Sequence, residues 1–139
     1  MKPEHFLRAA AGLTFVHALL NTFAGLLSGT SLNREEAALL TSMKSLKFDA
    51  MGSLRTYWDF YFGFGLFLTV NLLLLTVLMW KLAALVKTEP TQARPFIASI
   101  CAAFLAFAAL SGTYFFIAPF VIEMMVAVLL ALAFQMSRR

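Results

Sequence analysis

Histidine, cysteine and charge are all scarce in this chain, and each scarcity removes a class of chemistry. Two histidines, His5 and His17, cannot supply the clustered imidazoles of a membrane di-iron enzyme or the paired axial ligands of a haem held between helices. The lone Cys101 excludes an internal disulfide and any metal site built from cysteines. There is no glycine-rich loop followed by Lys-Ser or Lys-Thr, no C-x-x-C pair and no serine nucleophile elbow. The expectation is therefore no metal and no cofactor. Charged residues fill only 13% of 139 positions, too few to clothe a soluble domain of this size.

What is present is apolar: 61% of the residues are hydrophobic, and 15 of them are phenylalanine. Four segments are long enough for a hydrocarbon core, which needs roughly 20 apolar residues of helix. They lie at approximately 9–28, 57–82, 95–118 and 119–136. Their apolar centres, Ala9 to Ser28, Phe60 to Trp80 and Pro95 to Ala118, contain no Asp, Glu, Lys or Arg, and the fourth contains only Glu123. Long unbroken runs lack the two-residue alternation of a membrane strand, so the spans are helices. The expected fold is all-α: an integral membrane four-helix bundle in a single domain.

The last two spans need separating. As one helix, Pro95 to Met136 would run about 63 Å at 1.5 Å per residue, roughly twice the hydrocarbon thickness. Pro119 is the expected restart, because proline suits a first helical turn and disfavours helix just before it. Ser111-Gly112-Thr113 is the rival turn.

Between the first two spans, Asn33-Arg34-Glu35-Glu36 reads as a helix start with Asn33 as cap. Leu39, Leu40, Met43 and Leu46 follow at helical spacing, predicting an amphipathic helix in this first loop, broken by Met51-Gly52-Ser53. Lys81 to Arg94 reads as a connector turning at Glu89-Pro90.

Lysine and arginine set the orientation. The two termini and the middle loop carry Lys2, Arg8, Lys81, Lys87, Arg94, Arg138 and Arg139, against Arg34, Lys44, Lys47 and Arg55 in the first loop. That bias predicts cytoplasmic termini, and with headgroup contact it accounts for the net charge of +4 without nucleic acid. His17 and Asn21 inside the first apolar run, with no A-x-A site after it, argue against a cleaved signal peptide.

Polar groups within a membrane are costly and face the protein interior or water, so their depth points to function. Thr14, His17 and Asn21 share one helix face, continued by Gly25 and Ser28. Asp59 stands at the outer start of the second span, four residues after Arg55, which makes an Arg55 ion pair and a helix-dipole role its simplest reading. Tyr114 lies near the outer end of the third span and Glu123 near the outer start of the fourth. Topology thus gathers these groups in the outer half of the bundle. His17, Asp59 and Glu123 are the candidate catalytic residues, and Asn21, Trp58, Tyr61 and Tyr114 the candidate ligand-binding ones.

Such a pocket suits a lipophilic ligand with one polar end. A carboxyl withdrawn from water can donate a proton and a histidine or second carboxylate can take one, while aromatic faces stabilise a cation. Those parts would serve acid–base isomerisation or cyclisation of an isoprenoid or sterol-like substrate. The bland alternatives are an interfacial aromatic belt for Tyr57, Trp58, Tyr61 and Tyr114, and close helix packing at Gly25-x-x-x-Gly29 and Gly63-Phe64-Gly65. Under that second reading the chain is a non-catalytic subunit or scaffold of a larger membrane complex. Expected partners are membrane lipids, a lipophilic small molecule, and a second copy or another membrane protein.

The segment from Lys47 to Gly65, with Met51-Gly52-Ser53-Leu54-Arg55-Thr56-Tyr57-Trp58-Asp59-Phe60-Tyr61-Phe62-Gly63-Phe64-Gly65 at its heart, resembles the signature of a family of small four-span bacterial membrane proteins without an assigned function. Arg94-Pro95 and Tyr114-Phe115-Phe116 are similar too. The resemblance implies a bacterial inner-membrane protein and transfers no activity. In size and span count the chain is also similar to DoxX-like and sterol-isomerase-related families, whose carboxylate and histidine motifs do not map onto it.

Overall fold

The computed structural model describes residues 2–26 and 33–137. Ser28 and Gly29, at the expected end of the first span, and Arg138 and Arg139 lie outside the described residues. In chain order the elements are α1 (Pro3–Leu20), which continues as a π-helix over Asn21–Leu26, α2 (Arg34–Ser45), β1 (Lys47–Ala50), β2 (Ser53–Thr56), α3 (Tyr57–Thr88), α4 (Pro90–Tyr114) and α5 (Ile117–Met136). Four of the helical stretches are long and apolar enough to cross a membrane: Pro3–Leu26, Tyr57–Thr88, Pro90–Tyr114 and Ile117–Met136. The protein is all-α in class and multi-pass.

The chain forms two compact units. The first comprises the described residues of Met1–Ala18 and Asn71–Arg139, so it contains most of α1, the second part of α3, and all of α4 and α5. The second is Leu19–Val70, built from the end of the first span, α2, the two strands and the beginning of α3.

In the first unit α1 buries Glu4, Leu7, Ala11, Thr14 and Ala18, a three-and-four spacing that makes one stripe. Arg8 on α1 lies over the Trp80 ring of α3 at 5.5 Å, fixing the early part of one helix beside the late part of the other. The α4–α5 hairpin is pinned along its length. Gly112 faces Phe120 near the turn, Cys101 Sγ donates to the Ala127 carbonyl at 3.4 Å midway, and the Arg94 guanidinium covers the Phe134 ring at 4.5 Å at the far end. Buried Ala93, Ala108, Ala127 and Ala133 let the two backbones come close.

This unit holds a few polar side chains inside an apolar core and shows large apolar side chains outside. Thr14, His17, Ser111 and Glu123 are buried, while Phe96, Leu105, Leu110, Met125 and Val128 are exposed. Hydrocarbon solvates such an exterior; water would not.

Three boundaries differ from the sequence reading. The turn between the last two spans falls at Phe115 and Phe116, between the two expected places, with Pro119 in the first turn of α5 as expected. The connector expected over Lys81 to Arg94 is helix instead. α3 continues to Thr88, α4 starts at Pro90, and Glu89 alone stands between, because a residue before proline is pushed out of the helical region. At roughly 48 Å, 32 residues of α3 outrun a hydrocarbon core of about 30 Å.

The third difference is in the second unit. α2 begins after the expected Asn33 cap, and Glu36 completes a reciprocal capping box: the Glu36 N–H donates to Asn33 Oδ1 at 2.8 Å and the Asn33 N–H to Glu36 Oε2 at 2.9 Å. The chain then forms an antiparallel hairpin in which Lys47 pairs with Thr56 and Phe48 with Arg55. Met51 and Gly52, with φ of 53° and 85°, make its two-residue turn, and the Gly52 N–H donates to Asp49 Oδ1 at 2.7 Å.

Candidate functional site

Glu123 is the most constrained polar residue of the first unit. It sits on the inward face of α5 with Val126, Ala127, Leu130 and Ala133, and is 3% exposed. From α4 the buried Ser111 side chain lies beside the Glu123 carboxyl. Even so, Glu123 Oε2 has no partner among the described residues. A buried carboxyl oxygen left unpaired costs free energy on the order of 1–3 kcal/mol or more, so it marks a place where a ligand, a water or a proton is expected.

Ser111 is itself buried, at the floor of a cleft. With Gly112, Phe115, Phe116, Ile117 and Phe120 it lines this cleft of about 290 Å³ at the α4–α5 turn. Gly112 gives the ring room there: a Cβ at that position would come 3.2 Å from Phe120 Cδ2, pressing on the ring that forms one wall. Helix α4 ends here, and its last carbonyls lack intrahelical partners apart from Ser111, whose carbonyl accepts from the Phe115 N–H at 3.0 Å. The cleft therefore combines aromatic walls with the free carbonyls that end α4 and the free N–H groups that open α5, and Glu123 stands behind its serine.

His17 belongs to the same unit. It is 5% exposed, and its Nδ1 has no partner among the described residues. It lies about 21 Å along α1 from Pro3, and Glu123 about 20 Å along α5 from Met136, at 1.5 Å per residue. In spans that alternate direction the two sit at similar depth. Neither a hydrogen bond nor an ion pair joins them among the described residues. One turn before His17, Thr14 Oγ1 donates to its own helix at the Ala10 carbonyl, 2.9 Å away. Tyr114, at the end of α4, is 75% exposed.

The other sequence-derived candidates fall in the second unit. Asn21 opens the π-helix, and its Nδ2 donates to the Gly65 carbonyl and to Thr69 Oγ1, both at 2.9 Å. Thr22 Oγ1 lies 2.9 Å from Thr69 Oγ1, so the end of the first span and the start of α3 are tied by a polar network. Close approach explains Gly65: a Cβ there would run into the Leu26 side chain. Gly63 has open space instead.

Asp59 caps its helix. The Thr56 N–H donates to Asp59 Oδ2 at 2.8 Å, and the Asp59 N–H donates to Thr56 Oγ1 at 3.1 Å, a reciprocal box at the start of α3. Thr56, not Arg55, is its hydrogen-bond partner; Arg55 Nη1 donates to the Leu54 carbonyl at 3.1 Å. Trp58 stacks near Tyr61 and Phe62, with ring centroids at 5.4 and 6.0 Å, and takes the Lys44 ammonium on its face at 4.8 Å. Phe48 of the hairpin packs on Tyr57 and Phe60 at 4.9 and 5.4 Å.

The sequence reading did not single out Ser111 or the three phenylalanines as site residues, nor Thr22 and Thr69. Ser111-Gly112-Thr113 was visible as a turn signal and Pro119 as a helix restart, but nothing in their order places Ser111 opposite Glu123. Among the described residues no group of three or more His, Cys, Asp or Glu could hold a metal. Comparison with protein-family models, curated proteins and solved structures finds no match for this chain.

Proposed function

We propose that this protein binds a lipophilic small molecule through one polar end, at the cleft of the α4–α5 turn, and that Glu123 is the group that exchanges a proton with it. One observation carries the reading. A buried carboxyl with an unpaired oxygen lies beside Ser111, which borders a phenylalanine-lined cleft at the α4–α5 turn. An apolar body with one hydrogen-bonding end fits such a wall and floor.

In this scheme Phe115, Phe116 and Phe120 hold the apolar body, and Ser111 orients the polar end. Glu123 supplies or accepts the proton through Ser111, which suits an acid–base rearrangement of an isoprenoid-like molecule. His17, buried in the same unit, is the candidate for the complementary proton. The lysine and arginine bias, and the resemblance of the Lys47 to Gly65 segment, support a bacterial inner membrane as the setting, with cytoplasmic termini.

The test is mass spectrometry of what accompanies the purified protein. A lipophilic molecule with a hydrogen-bonding end should be retained near stoichiometry by the wild type and lost at least tenfold from Ser111→Ala and Glu123→Leu. Equal carry-over of bulk membrane lipid in all three would refute the proposal.

A further inference from the structure

Helix α3 carries a polar side chain on an exposed face. Asn71 is exposed, and at 1.5 Å per residue it stands about 17 Å along the helix from Phe60 and about 14 Å from Trp80, near the middle of the apolar stretch. Leu74 and Leu78 are exposed on the same side. The buried residues of α3, Leu72, Met79, Leu82, Ala83 and Val86, lie elsewhere; at about 100° per residue they centre roughly a quarter-turn round the helix from the line of Asn71, Leu74 and Leu78. Towards the start of α3 the same line continues through exposed Phe67 and Phe64. A carboxamide facing hydrocarbon is costly, because lipid tails neither donate nor accept. It has two N–H donors and an oxygen that accepts twice, so a bond within its own chain leaves capacity for a bond to another.

We infer that two copies of this chain associate through α3, along Phe64, Phe67, Asn71, Leu74 and Leu78, with the two Asn71 carboxamides hydrogen-bonded to each other across the seam. The interface is independent of the proposed ligand site, which lies on α4 and α5. Three features select a second copy as the occupant. Positions 64, 67, 71, 74 and 78 alternate steps of three and four, the seven-residue repeat along which two helices wind about each other for several turns. Copies inserted the same way round run their α3 helices in parallel, and two-fold symmetry about the membrane normal brings every residue to the depth of its own equivalent. Asn71 therefore meets Asn71. A carboxamide is also complementary to itself, each nitrogen donating to the other oxygen, which a wholly apolar partner helix could not match. A single asparagine in such a seam fixes its register, since a slip by one turn would set both amides against leucine or phenylalanine.

The test uses the full-length protein in phosphatidylcholine vesicles. In the Cys101→Ala background, Leu74→Cys and Leu78→Cys should form intermolecular disulfides on mild oxidation at least fivefold faster than Leu73→Cys, which is exposed at the same depth but on another side of the helix. Single-molecule photobleaching of dye-labelled protein across a lipid dilution series should show a wild-type dimer. Its dissociation constant should rise at least tenfold in Asn71→Leu and stay within threefold in Asn71→Gln, which keeps an amide. Replacing an exposed residue by leucine spares the monomer, and unchanged helical circular dichroism checks that. Monomers throughout the series, equal cross-linking at Leu73 and Leu74, or an Asn71→Leu dimer as tight as wild type overturns the proposal. Cross-linking of Leu74→Cys in native membranes to a different protein alone assigns the face to another partner and likewise overturns it.

Discussion

Asn21 donates from its amide nitrogen to the backbone carbonyl of Gly65 at 2.9 Å, a side-chain bond between residues 44 positions apart. Its geometry depends on the π-helix that Asn21 begins, since a π-turn widens the helix and redirects its side chains. The same amide nitrogen reaches Thr69 Oγ1. Within a membrane such bonds are worth about 0.6 kcal/mol each on average, and up to about 1.7. Asn21→Leu should therefore cost about 1–3 kcal/mol, and Thr69→Val less, because Gly65 remains available to Asn21. Reversible unfolding in mixed micelles measures both, and equal losses would show that Thr69 holds the network.

Gly65 tests the same crossing by size. Gly65→Ala should cost about 1–3 kcal/mol through crowding against Leu26, and Leu26→Ala should recover most of that loss by making room. A double-mutant cycle with no coupling would place the crowding elsewhere.

Asp59 separates a capping role from an acid–base role. Asparagine still accepts from a backbone N–H, so Asp59→Asn should change stability by less than about 0.5 kcal/mol, whereas Asp59→Ala should cost about 1 kcal/mol and fray the first turn of α3. Hydrogen exchange at residues 57–60 reads the fraying. Retained ligand in Asp59→Asn leaves the proton to Glu123; loss of ligand in this well-folded variant would bring Asp59 back into the chemistry.

Met51 occupies a hairpin turn position with φ of 53°, where asparagine or glycine is favoured and a longer side chain is strained. Met51→Asn should stabilise the hairpin by about 0.5–1 kcal/mol, seen as slower amide exchange at Gly52 and Ser53. Unchanged exchange would mean that the pairing of Phe48 with Arg55, not the turn, limits opening.

Ser111 and Glu123 give the prediction closest to function. Glu123→Gln preserves shape and a hydrogen-bonding end but exchanges no proton. It should keep most ligand binding while abolishing turnover of any bound isoprenoid, followed as deuterium incorporation from heavy water. Deuterium incorporation by Glu123→Gln at the wild-type rate would remove Glu123 from the chemistry.

The sequence by itself determined the spans, because apolar runs of about 20 residues between charges have one stable home, and a backbone without water must close its own hydrogen bonds. It also located the α2 cap at Asn33 and the first-turn place of Pro119, since these depend on neighbours in the chain. Within the hairpin, Met51-Gly52-Ser53 was read as a helix break and not as the turn between two strands, although Met51-Gly52 between two short polar-apolar stretches carries a turn signal. Tertiary structure decided what local order cannot: that Asn21 finds Gly65 and Thr69, and that Ser111 meets Glu123 across a helical hairpin. The physical reason is rotation and register. Composition fixes how deep a residue lies in a membrane, but which way it faces, and which partner waits at that level on the next helix, is set only when the helices pack.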